Sequence, residues 1–252
     1  MKTTRIKDCF AKAKAEGRGA FVAYLTMGFP TIAASEKAAD EAIAGGADIL
    51  ELGVPFSDPF ADGGVIRSAA YEAIRNGATL KDVIALAGRI RAKRPETGLV
   101  LFSYYNPAFS MGLDAFADAV SGAGIDAVLV VDLPLEEREE LLSHLRPRGI
   151  GFVPLIAPNT PVARVLESER GIGDSFLYVI TVKGTTGART ELPPDLTGRL
   201  DAIRAAAHLP IAAGFGISTR AQAEEVSRHA DGFIVGSALV KCVAEGRPPC
   251  LS

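Results

Sequence analysis

The sequence predicts an α/β chain folded as a single (β/α)8 TIM barrel, and three observations carry that prediction. Eight short apolar runs each lead through a loop into a segment of helical periodicity, a repeat of about 25–40 residues. The apolar runs are continuous rather than alternating, as expected of parallel strands covered on both faces. No G-x-G-x-x-G pattern follows the first run, which counts against the competing architecture, an open doubly wound sheet. No linker or low-complexity segment interrupts the chain, so residues 1–252 are expected to form one domain.

Taken in order, a first helix is predicted over Arg5–Glu16, ahead of strand one at Ala20–Thr26. A helix over Ile32–Ala44 stops at Gly45-Gly46, and strand two is expected at Ile49–Leu52. Helices follow over Val65–Arg75, ended by Asn76-Gly77, and over Leu80–Lys93, capped by Thr79. Strand three is placed at Leu99–Ser103 with a helix over Leu113–Ala123, and strand four at Ala127–Val131 with a helix over Leu135–Leu145. Strand five is read at Phe152–Ile156 with a helix over Pro161–Glu169, and strand six at Phe176–Val182 with a helix over Asp195–Ala207. Strand seven at Ile211–Ala213 leads to a helix over Thr219–Arg228, and strand eight at Gly232–Val235 to a last helix over Ser237–Ala244.

Composition narrows the function classes. The chain is 48% hydrophobic and 23% charged with a net charge of −3, an ordinary globular balance that gives no electrostatic case for nucleic acid or anionic membrane. No apolar run reaches the length of a membrane span, and Met1–Asp8 lacks the apolar core of a signal peptide, so a cytoplasmic location is expected. Cys9, Cys242 and Cys250 are too few and too scattered for a disulfide framework or a zinc site. His144, His208 and His229 fall in or beside predicted helices, away from strand C-termini, and read as surface groups. With neither a metal cluster nor a histidine base in view, carboxylates are left to carry acid–base work.

The stretch Ile49–Gly63 carries three of them. Glu51 is set inside an apolar strand, where a charge costs free energy unless it is partnered or neutralised, and burial there raises a carboxyl pKa toward the range of a general acid–base. The alternative is a structural glutamate held at a strand end by backbone amides. Asp62 lies in the following loop, which can fold back over the barrel mouth, where barrel active sites are built. Asp58, between Ser57 and Pro59, fits an exposed Asx turn better than catalysis.

A second signal lies after the last two strands. Gly214-Phe215-Gly216-Ile217-Ser218 follows strand seven, and Gly236-Ser237 follows strand eight and opens a helix. Glycine lets the backbone approach an anion, and a helix start points free N–H groups at it, so these two loops predict a phosphate site. A third signal is the small, polar segment Lys183–Arg189, which reads as a lid or as a plain mobile loop, with Thr186 placed to orient a carboxylate on closure. Lys183 also allows a Schiff-base reading, against an exposed, solvated lysine. Phe21, Tyr24, Phe102, Tyr104, Tyr178 and Phe215 are core aromatics, those at strand ends being candidates to line a flat apolar pocket.

Several of these motifs, in order, resemble the alpha chain of tryptophan synthase along essentially the whole chain: Leu50–Pro59, Ala61-Asp62-Gly63, Tyr104-Tyr105-Asn106-Pro107, Val131-Asp132-Leu133-Pro134, Gly184–Arg189, Gly214–Ser218 and Gly236–Lys241. The resemblance implies a barrel that cleaves indole-3-glycerol phosphate into indole and glyceraldehyde 3-phosphate. It implies that Glu51 is the acid–base, that Asp62 holds the indole N–H, that Tyr178 sits near the reacting centre and that Thr186 helps close the lid. Gly187, Gly216, Gly236 and Ser237 would bind phosphate, and Phe102 and Phe215 would sandwich the indole, beside Tyr24 and Tyr104 in the pocket. Pro55, Phe56, Ser57, Asp58 and Asn106 would face a beta chain in an alpha2-beta2 assembly, and the pyridoxal phosphate would belong to that beta chain, with no cofactor in this one. Gly64, Arg67, Phe29 and Lys183 depart from the usual pattern. Arg67 is expected to compete for Asp62, Phe29 stands where an acidic residue is usual near the partner face, and the C-terminal helix is short. The rival readings are a stand-alone lyase of the same chemistry, a Schiff-base aldolase using Lys183, and a catalytically silent activator of a partner.

Overall fold

The computed structural model describes residues 4–181, 196–214 and 216–251. Nine parallel strands hydrogen-bond in the order β5-β4-β3-β2-β1-β9-β8-β7-β6. They are β1 (Ala20–Thr26), β2 (Ile49–Gly53), β3 (Gly98–Ser103), β4 (Ala127–Val130), β5 (Gly151–Phe152), β6 (Leu155–Ile156), β7 (Leu177–Ile180), β8 (Ile211–Gly214) and β9 (Gly232–Val235). The count of nine and the eight expected staves agree once β5 and β6 are taken together. The predicted strand Phe152–Ile156 is broken at Val153-Pro154: β5 pairs with β4, and β6 pairs with β7. Proline has no N–H for the ladder, so the stave changes partner at that point and its continuous chain joins the two ends of the sheet.

Around this ring lie α1 (Arg5–Ala15), α2 (Ile32–Ala44), α3 (Gly64–Arg75), α4 (Leu80–Lys93), α5 (Tyr105–Met111), α6 (Leu113–Gly122), α7 (Glu139–Leu145), α8 (Val162–Ser168), α9 (Leu196–Ala206), α10 (Arg220–His229) and α11 (Ser237–Ala244). Two differ from expectation. The short helix α5 follows β3 directly, where a loop was read, and α7 starts at Glu139 rather than Leu135, the preceding residues forming turns.

Strand burial follows the reason for the continuous apolar runs. All seven residues of β1 are buried. Ala20 and Val22 face an interior cluster with Ile49, Val100, Leu129 and Phe176, and Phe21, Ala23 and Leu25 join the outer cluster packed on the helices. Alternate side chains thus serve two cores, and each must be apolar. The N-terminal end of the barrel is plugged by α1, whose Ile6, Cys9, Phe10 and Ala13 complete the interior cluster.

Candidate active site

The parallel register places one carboxyl group inside the ring. In β2, Leu50 and Leu52 belong to the outer cluster, so Ile49 and Glu51 point inward. Glu51 is flanked in the ladder by Tyr24 on β1 and Val100 on β3. It is 0% exposed, and neither carboxylate oxygen has a hydrogen-bond partner among the described residues. Burial with nothing to offset it raises its pKa to about 8, so the carboxyl holds its proton at neutral pH.

Asp62 reaches the same region from the loop after β2. The backbone N–H of Ala61 donates to Tyr104 Oη at 3.2 Å, and the Tyr104 hydroxyl donates to Asp62 Oδ2 at 3.2 Å. The Tyr104 ring stacks on Phe56 with centroids 4.8 Å apart and meets the edge of Phe60 at 5.5 Å. Tyr104 thus ties the carboxylate loop to the end of β3. Burial raises the Asp62 pKa to about 6, opposed by the Tyr104 hydrogen bond and then by the charge of Arg67. Arg67 itself is exposed on α3, so its influence on Asp62 is the smallest of the three.

Two buried tyrosines complete the group. A Cβ on Gly53, at the end of β2, would lie 2.4 Å from the Tyr24 hydroxyl, and one on Gly214, at the end of β8, 2.6 Å from that of Tyr178. Both positions must be glycine for these rings to lie flat against the staves. Burial pushes both hydroxyls far above their ordinary pKa, and each feels the charges of Glu51 and Asp62, so these side chains are mutual neighbours. Phe102 meets Tyr24 edge-on at 5.1 Å, adding an apolar wall.

After β9, two strands along the ring from Glu51, Gly236 and Ser237 open α11, and an added Cβ on Gly236 would lie 3.5 Å from the Tyr24 ring. The first N–H groups of α11 therefore start beside the aromatic pocket, and Gly216 at φ 90° turns the neighbouring loop. Thr186, Gly187, Phe215 and Lys183 lie outside the described residues.

The remaining expectations separate. Asp58 and Ser57 are exposed, and the Ser57 hydroxyl donates to Asp58 Oδ2. Pro55 is buried, Phe56 half-buried on Tyr104, and Asn106 exposed on α5. Phe29 is buried among Ile66, Ala69, Ala73 and Val240, an apolar neighbourhood that suits phenylalanine rather than an acid. His144 on α7, His229 on α10 and His208 in the bend after α9 pair with carboxylates: His144 with Asp114, His208 with Glu169, and His229 with Asp201. What the sequence reasoning missed is Tyr104 as the partner of Asp62 and Gly53 as space for Tyr24. The Tyr104 contact spans 42 residues of chain and leaves no local pattern.

Comparison with known proteins supplies the family. Residues 10–248 match the family model described as tryptophan synthase alpha chain. This chain belongs to the tryptophan synthase alpha chain family. A family member from Citrifermentans bemidjiense is 44% identical over 238 residues, covering 94% of this chain and 88% of its own. One from Opitutus terrae is 40% identical over 242 residues, covering 96% and 90%. Among solved structures, one from Aquifex aeolicus superposes with a TM-score of 0.89 at 37% identity, covering 96% of this chain and 92% of its own. A Mycobacterium tuberculosis tryptophan synthase gives 0.87 at 33% identity with the same coverage. The family reaction is the lyase step that cleaves indole-3-glycerol phosphate to indole and glyceraldehyde 3-phosphate in tryptophan biosynthesis, and this chain is an alpha subunit of that type. Among the described residues, no helix is long and apolar enough to cross a membrane.

Proposed function

We propose that Glu51 is the acid–base of this lyase step and Asp62 its electrostatic partner. The observation that carries the assignment is a fully buried carboxyl, without a hydrogen-bond partner among the described residues and with its pKa raised to about 8, in the barrel interior. The protonated Glu51 delivers its proton to C3 of the indole ring. The indolenine tautomer that results carries positive charge at N1–H, which the Asp62 carboxylate holds. The Glu51 carboxylate then takes the proton of the side-chain hydroxyl as that carbon becomes the aldehyde and the C–C bond breaks, its electron pair restoring the aromatic ring. Glu51 regains its proton, so the cycle closes without an added acid or base.

Tyr24 and Phe102 form the apolar wall for the ring, and Tyr178 packs beside the reacting centre. Gly216, Gly236 and Ser237 bind the phosphate by backbone N–H groups and the serine hydroxyl. The chain works beside a beta chain carrying the pyridoxal phosphate. The exposed aromatic side chains Phe60 and Phe109, at 69% and 58%, support such a face next to Ser57, Asp58 and Asn106. A location in the cytoplasm fits this biosynthetic role.

The test is indole release from indole-3-glycerol phosphate by the purified chain and by Glu51→Gln and Asp62→Asn variants, with and without a beta chain. Loss of turnover in both folded variants is the expected result; unchanged release in Glu51→Gln sinks the assignment.

A further inference from the structure

Phe29, one of the departures from the usual family pattern, lies where three parts of the proposed site meet. It is buried with Tyr24, Ile66, Ala69, Ala73 and Val240 in a small apolar cluster separate from both the interior and the outer clusters. Tyr24 belongs to the apolar wall of the pocket. Ile66 lies in the first turn of α3, four residues after Asp62. Val240 lies in the first turn of α11, where its N–H donates to the carbonyl of Gly236 at 3.0 Å. A Cβ added to Gly236 would lie 3.7 Å from Ile66 Cδ1 as well as 3.5 Å from Tyr24, so both side chains touch the start of α11. On α3, Ile66, Ala69 and Ala73 form one stripe, and its two alanines leave room for an aromatic ring.

The backbone that carries Phe29 is anchored on two sides. The Gly28 N–H donates to Ser35 Oγ at 2.8 Å, and that hydroxyl donates in turn to the carbonyls of Thr31 and Phe29 at 3.0 and 3.2 Å, tying the turn to α2. Asn76, at the end of α3, donates from Nδ2 to the Pro30 carbonyl at 2.8 Å. Gly28 has φ 88°, and a Cβ there would lie 2.4 Å from Ala78 Cβ, so the turn sits directly on the segment that follows α3. A ring fixed in this way sets the spacing of α3 and α11, because close-packed side chains transmit displacement rather than absorb it.

We propose that Phe29 is a positioning residue, which acts through Ile66 and Val240 to set the distance between the carboxyl groups and the phosphate cradle. This rests on the reading above, in which Gly236 and Ser237 take the phosphate. The phosphate is the unreacting end of the substrate, and its binding energy speeds the reaction only where it places the ring against Glu51 and Asp62. Removing the Phe29 ring leaves both ends of the site in place and lets α11 shift relative to α3. The phosphate still binds but no longer aligns the ring.

The test is steady-state indole release by Phe29→Ala, Phe29→Val and Phe29→Leu from indole-3-glycerol phosphate and from its dephosphorylated form, indole-3-glycerol. The ratio of kcat/KM for the two substrates is independent of how much of the chain is folded, because both rates scale with that fraction. It is expected to fall about tenfold in Phe29→Ala and about threefold in Phe29→Val, through kcat for the phosphorylated substrate, and to stay near wild type in Phe29→Leu, which refills the space. Phe29→Val decides the matter if Phe29→Ala does not fold. An unchanged ratio, with equal loss on both substrates, marks a merely structural residue and overturns the proposal, as does a loss confined to KM. Ser237→Ala separates this role from the phosphate reading: it lowers the ratio if the cradle is there, and combining it with the Phe29 variant then costs less than the two single losses together. Additive losses overturn the role of Phe29 alone, and an unchanged ratio in Ser237→Ala overturns the phosphate reading and the role of Phe29 with it.

Discussion

At the scale of single residues, Glu51 and Asp62 differ in environment although one βα unit supplies both. Glu51 has burial alone acting on it, and Asp62 has burial opposed by a hydrogen bond and a nearby charge. Their pKa values of about 8 and about 6 predict a bell-shaped kcat/KM profile between those limits, with ionised Asp62 and protonated Glu51 as the active form. Tyr104→Phe removes the hydrogen bond that lowers the Asp62 pKa, so the acid limb moves upward while the alkaline limb stays; pH–rate profiles of the two proteins check this. Glu51→Gln is expected to cost about 10²–10⁴-fold in kcat with the fold retained, measured by indole release and circular dichroism. The same burial has a stability signature. A carboxyl raised from 4.5 to about 8 leaves the native chain holding more protons than the unfolded one between those values, so stability falls as pH rises through that window. Urea titrations at pH 5 and pH 8 will show wild type losing stability relative to Glu51→Gln, which cannot ionise.

At the scale of elements, the ends of helices are secured by distant side chains as much as by local caps. Thr79 and Thr219 close capping boxes within their own sequence, with Asp82 and Gln222. The N-terminal helix α1 has no side-chain cap from Thr4; Asp174, ahead of β7, accepts from the N–H groups of Ile6 and Lys7 at 3.0 and 3.1 Å. Arg5 binds buried Asp126 at 2.7 Å, so α1 is clipped across the barrel floor by two carboxylates. Asp174→Ala is expected to cost about 1–2 kcal/mol of stability, read by urea denaturation, and to leave kcat unchanged because the floor lies away from the mouth. Arg138 plays the same part at the C-terminus of α8, its buried guanidinium donating to the carbonyls of Ser168, Glu167 and Arg170.

At the scale of the whole molecule, the ring of staves brings the ends of β1, β2, β7 and β8 together, so that Tyr24, Glu51, Tyr178 and their two glycines share one pocket. The exposed aromatics beside this mouth predict a partner-dependent activity: Phe109→Asp is expected to lower the stimulation of indole release by a beta chain while leaving the isolated chain's rate unchanged, as steady-state assays with and without that chain will show. Continuous apolar runs and helix punctuation were enough to predict the barrel and most element boundaries, because each stave must be apolar on both faces and each helix start and stop is written in adjacent residues. Glu51 was legible for the same reason, a lone charge in such a run being conspicuous. The pairing of Tyr104 with Asp62 and the room that Gly53 leaves for Tyr24 were decided only in three dimensions. Each depends on residues far apart in the chain meeting across the ring, and contacts of that kind impose no spacing on the sequence.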